Sequence, residues 1–114
     1  MLRASSEHKG EVYDLKAVLG AAAGDSGIPQ GGLLVAFAEA VLGADDERLA
    51  AARMGLAEAL GDEALVDAAA VVANFNAIDR VADATGIPVD AERLDLTADL
   101  RAELGIDAFA ASRT

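Results

Sequence analysis

The chain holds 114 residues, 54% of them apolar, and carries 20 acidic against 9 basic side chains for a net charge of −11. That length suits one domain, expected over residues 1–114, which buries roughly 65% of the surface its unfolded form exposes. The charge argues against nucleic acid and anionic membranes as partners. The absence of cysteine excludes disulfides, thiolate nucleophiles, CxxC redox pairs and thiolate metal sites in this chain.

His8 is the sole histidine, so a multi-histidine metal site would need several copies of the chain. Neither a metal nor a cofactor is expected. The first residues carry no apolar core of a secretion signal. The longest strongly apolar stretch, Leu33 to Leu42, contains Glu39 and is too short to span a bilayer. These features predict a cytoplasmic protein.

Helical periodicity dominates, and no stretch alternates as a strand would. A first helix is expected over Ser6 to Ala23, capped by Ser5 or Ser6 and stopped at Gly24-Asp25-Ser26-Gly27-Ile28-Pro29. The second, Gln30 to Leu42, places Leu33, Leu34, Phe37, Ala38, Val41 and Leu42 in a broad apolar band, which predicts burial on most sides. The third opens on Asp45-Asp46-Glu47, where acids suit the helix dipole. Its core stripe is Leu49, Ala52, Leu56 and Leu60, and Gly61 ends it. The fourth is the longest, Asp62 to Thr85, closed by Gly86-Ile87-Pro88 and about 36 Å long. A weaker segment, Asp90 to Phe109, has Thr97 as a candidate cap and Gly105 as an interruption. The likeness of Ala23–Pro29 to Ala82–Pro88 is explained by two similar helix stops. The expected fold is an all-α bundle of four to five helices with a long fourth helix.

Candidate chemistry concentrates on that fourth helix. Asn76, Asp79, Arg80 and Asp83 stand at i, i+3, i+4 and i+7, one polar stripe that serves either as the wall of a small-molecule site or as an ion-pair face. Asn74 shares the face of Ala77, Ile78 and Val81, and an amide there calls for partners in an interhelical network, a subunit interface or a functional site. Glu39, alone in its apolar stretch, reads first as a carboxylate exposed at the helix edge; at a buried edge it would call for a basic partner, Arg53 or Arg80. His8 beside Glu7 reads as a surface histidine. Asp25-Ser26-Gly27 lacks the context of a phosphopantetheine serine, because it ends a helix instead of opening one. No EF-hand loop, GxGxxG or phosphate-binding GxxxxGK[ST] occurs.

One run points to a family. Leu60-Gly61-Asp62-Glu63-Ala64-Leu65-Val66-Asp67, continuing into Ala73-Asn74-Phe75-Asn76-Ala77-Ile78-Asp79-Arg80-Val81-Ala82-Asp83-Ala84-Thr85-Gly86-Ile87, resembles the closing helix of the alkylhydroperoxidase/carboxymuconolactone decarboxylase family. Leu33-Leu34-Val35-Ala36-Phe37-Ala38-Glu39 is similar to its Phe-Ala-Glu helix. The resemblance covers about Leu33 to Asp90, half the chain. It implies the alkylhydroperoxidase-like helical fold and a habit of forming oligomers. The family's peroxidases use a CxxC pair that this chain lacks, so the resemblance transfers no catalytic residue.

Three functions follow as expectations. The first is a helical homo-oligomer, most simply a dimer built on the second and fourth helices with Val72, Phe75, Ile78 and Val81 contributed by the fourth, related to that family and without thiol peroxidase activity. The second is an acid–base enzyme built on Glu39, Asp79 and Arg80 that acts on a small organic acid or lactone. The third is an acidic adaptor that binds a partner protein through the second helix.

Overall fold

The computed structural model describes residues 9–10, 13–16 and 27–108. Every regular element among them is helical: α1 Gly31–Leu42, α2 Asp46–Leu60, α3 Asp62–Thr85, α4 Ala91–Leu96 and α5 Ala98–Leu104. The chain divides into two compact units, Met1–Val81 and Ala82–Thr114.

The helix expected over Ser6 to Ala23 is not continuous. Gly10 lies at φ +73°, and Tyr13 and Asp14 are outside any helix. The Asp14 carboxylate accepts from the Lys16 backbone N–H at 2.9 Å, a local bond that competes with a helical turn. His8, Ser5, Ser6 and the Asp25-Ser26 pair lie outside the described residues.

In the first unit α1 and α2 pack together across the turn Gly43-Ala44-Asp45. Gln30 precedes α1 in the left-handed region, at φ 58°, and is not part of the helix. Among the described residues the buried hydrophobic core is Phe37, Ala40 and Leu56, each at most 4% exposed. Phe37 and Ala40 share one face of α1, and Leu56 is the centre of the expected stripe on α2. Gly55 sits beside α1, and a Cβ added there would meet Leu33 Cδ2 at 3.9 Å. Of the expected band, Phe37 is buried, Leu33, Leu34, Ala38 and Val41 are half-buried, and only Leu42, 60% exposed, is open. The exposed residues Gly32, Ala36, Glu39 and Leu42 fall on one side of α1. Leu60, at the end of the α2 stripe, is likewise exposed.

Helix α2 is capped as its sequence dictates. The Asp45 side chain accepts from the Arg48 N–H at 3.0 Å, and Asp46 and Glu47 fill the first turn. Gly61, at φ 90°, is the single residue between α2 and α3, a conformation that disfavours any side chain. Asp62 and Glu63 then open α3. At its far end the Gly86 and Ile87 N–H groups both donate to the Ala82 carbonyl, at 2.9 and 3.2 Å. With Gly86 at φ 66° and Pro88 following, this is the expected helix stop.

In the second unit the segment expected as one helix is two, broken at Thr97. Thr97 does not cap α5 with its side chain. Its hydroxyl donates back to the Arg93 carbonyl at 2.6 Å, the kind of local bond that diverts Ser and Thr from helix continuity. Gly105, at φ 65°, ends α5.

Candidate functional site

Helix α3 has a mixed circumference, and its 100° step per residue sorts the side chains onto faces. Ala64, Leu65, Ala68, Ala69, Val72 and Asn76 are half-buried and form one continuous stripe. Toward the C-terminus the same side of the helix turns polar, with Asp79, Arg80 and Asp83 exposed along it. The expected polar stripe is therefore present as a helix face, anchored at the half-buried Asn76. Arg80 makes no ion pair among the described residues.

The other side of α3 is apolar and open. Val71, Phe75, Ile78 and Val81 are 53–59% exposed, and they fall at i, i+4, i+7 and i+10. Asn74 lies in the middle of this stripe and is itself exposed, so within one chain its amide is not buried. No α3 residue is fully buried, and nothing comparable to the α1–α2 packing joins α3 to either of those helices. Soluble monomers seldom leave so long an apolar stripe uncovered.

Glu39 takes a partner the sequence did not single out. Its Oε2 accepts from the Arg48 guanidinium at 2.9 Å, where Arg53 or Arg80 was expected. The cause is the short turn. Asp45 fixes the start of α2, so Arg48 stands in its first turn beside the last turns of α1. The Glu39 carboxylate is thus committed to an ion pair on a half-exposed rim, and no contact brings it to Asp79 or Arg80 among the described residues.

A second arginine missed by sequence reasoning organises the α4–α5 break. Arg101 Nη1 donates to the Leu94 carbonyl and the Thr97 hydroxyl, both at 2.7 Å, and Nε donates to Asp107 Oδ1 at 3.1 Å. Its side chain is only 21% exposed. The i+4 spacing from Thr97 to Arg101 was the available signal. These bonds hold a turn together.

No group of three or more His, Cys, Asp or Glu side chains is placed to hold a metal ion among the described residues. No described helix is long and apolar enough to cross a membrane. Compared with family models, curated proteins and solved structures, the chain matches none of them.

Proposed function

We propose that this protein is a self-associating helical module, a thiol-free relative of the alkylhydroperoxidase/carboxymuconolactone decarboxylase family that acts by assembly and not by peroxide reduction. The observation that carries the reading is the open apolar stripe of α3, Val71-Phe75-Ile78-Val81, on a chain whose described core contains only three buried hydrophobic residues. Burying such side chains stabilises by about 1.5–3 kcal/mol each when covered fully. A monomer leaves that energy unused on its longest helix. The family relation rests on the Leu33 to Asp90 resemblance.

The acid–base alternative needs Glu39 beside Asp79 and Arg80, and the Glu39–Arg48 pair gives it no support. An adaptor for a different protein, expected to dock on α1, is a rival if it uses the α3 stripe instead. The two are separated by the purified chain alone. Phe75→Asp places a charge in the stripe without touching Phe37, Ala40 or Leu56. If the stripe is a self-interface, the variant keeps its helical circular dichroism and drops to the mass of one chain. Equal masses for the variant and the unmodified protein would remove the reading.

A further inference from the structure

Acid edges the apolar stripe of α3. Asp67 lies one turn before Val71 and Asp79 one turn after Phe75, and both are exposed. At 100° per residue Asp67 falls within the arc of the stripe, between Val71 and Val81, and Asp79 falls just beyond Phe75. Neither carboxylate has an ion-pair partner among the described residues. The one base on the helix, Arg80, stands on the other side from Ile78. The stripe therefore offers apolar contact with uncompensated negative charge near both ends, Asp67 and Asp79 being about 18 Å apart along the axis.

We infer that this stripe docks a basic amphipathic helix of another protein. An exposed helix face has no free backbone groups to pair with an extended segment, so an occupant must satisfy its own N–H and C=O groups, as a helix does. A partner helix of about 16 residues covers the distance from Asp67 to Val81. Its apolar seam packs against Val71, Phe75 and Ile78, which are 53–59% exposed in the single chain. Lysine or arginine side chains flanking that seam reach Asp67 and Asp79, with their methylene stems laid over the edges of the stripe. A neutral or acidic helix gains the apolar contact but leaves both carboxylates partly desolvated and unpaired. Such docking goes beyond self-association, because the partner is a different protein. Both uses need Phe75 and Ile78, so the basic helix and a second copy exclude each other.

The probe is a fluorescein-labelled peptide of about 16 residues, made of leucine and lysine with the leucines along one helical face. A peptide of the same composition in scrambled order is the control. Fluorescence anisotropy with the unmodified protein should show the patterned peptide binding several-fold tighter than the scrambled one, and more weakly as salt is raised. Asp67→Asn combined with Asp79→Asn should weaken binding several-fold. Glu58→Gln combined with Asp95→Asn, an equal change of charge at exposed positions away from α3, should not. Circular dichroism checks that both double variants keep their helix. Light scattering should show the complex at the mass of one chain plus peptide. No binding, equal binding of the scrambled peptide, or equal weakening by the control pair overturns the docking site. A peptide that binds without reducing the mass of an oligomer overturns the exclusion. Peptide-free protein of monomeric mass overturns the proposed function, while the docking site still stands or falls by the anisotropy.

Discussion

The Arg48 guanidinium reaches back from the first turn of α2 to the Glu39 carboxylate on α1, 2.9 Å away, while its own backbone N–H is held by Asp45 at 3.0 Å. One residue thus ties the cap of α2 to the flank of α1. The pair is roughly half exposed, 57% and 43%, so it registers the two helices more than it stabilises them. Exposed ion pairs contribute about 0.2–1 kcal/mol. Arg48→Ala and Glu39→Gln should each cost within that range, and a double-mutant cycle in urea should return a coupling that shrinks in high salt. A coupling above about 2 kcal/mol would mean a burial the structure does not show.

Leu56→Ala should be the most damaging truncation on α2. Leu56 is fully buried at the α1–α2 contact, and such truncations cost about 2–5 kcal/mol. Met54→Ala, on the exposed side of the same helix and 70% exposed, should change stability by under about 0.5 kcal/mol. Chemical denaturation of the two variants side by side checks the ordering.

Gly55→Ala should raise stability. The glycine is inside α2, where alanine gains about 0.8–1 kcal/mol in helix propensity. The new methyl would meet Leu33 Cδ2 at 3.9 Å, an ordinary contact. A lowered unfolding midpoint would show that α1 and α2 sit closer than described.

Thr97 and Arg101 should act locally. Thr97→Val removes both the donor to the Arg93 carbonyl and the acceptor for Arg101 Nη1, whereas Thr97→Ser keeps both. Hydrogen exchange across Ala98–Leu104 should speed up in Thr97→Val and in Arg101→Ala, by a protection loss of about 1–3 kcal/mol. Exchange in α2 should stay unchanged, because these bonds belong to the α4–α5 turn.

Peroxide reduction should be absent. A thiol peroxidase turns over through a sulfenate, and the only sulfur atoms here belong to Met1 and Met54. Metal-free protein with an organic hydroperoxide and a dithiol should match the buffer blank, and turnover above that blank would contradict the thiol-free reading.

The limits of α3 were legible because they are written in local chemistry. Gly61 supplies the positive φ, Asp62 and Glu63 suit the helix start, and Gly86-Ile87-Pro88 closes it. The open stripe was legible only in part: the sequence groups Val72 with Phe75, Ile78 and Val81, but Val72 is half-buried on the other side of α3 and Val71 is the exposed fourth member. The partner of Glu39 was not, because it depends on how three turn residues aim α2, and Arg48 is nine positions away. Thr97 misled for the opposite reason. A threonine before Ala98 reads as a cap, but its hydroxyl found the Arg93 carbonyl behind it. The first helix failed at Gly10 and Asp14, where a left-handed glycine and an Asp-to-backbone bond outweigh the periodicity of Val12, Leu15, Val18 and Leu19.

The central claim is self-association, and the mass of the unmodified protein tests it most directly. Light scattering at micromolar concentration should give at least twice the 11.5 kDa chain mass. The thermal unfolding midpoint should also rise with protein concentration, because association and folding are linked. A well-folded species of 11.5 kDa, with a midpoint independent of concentration, would contradict the account.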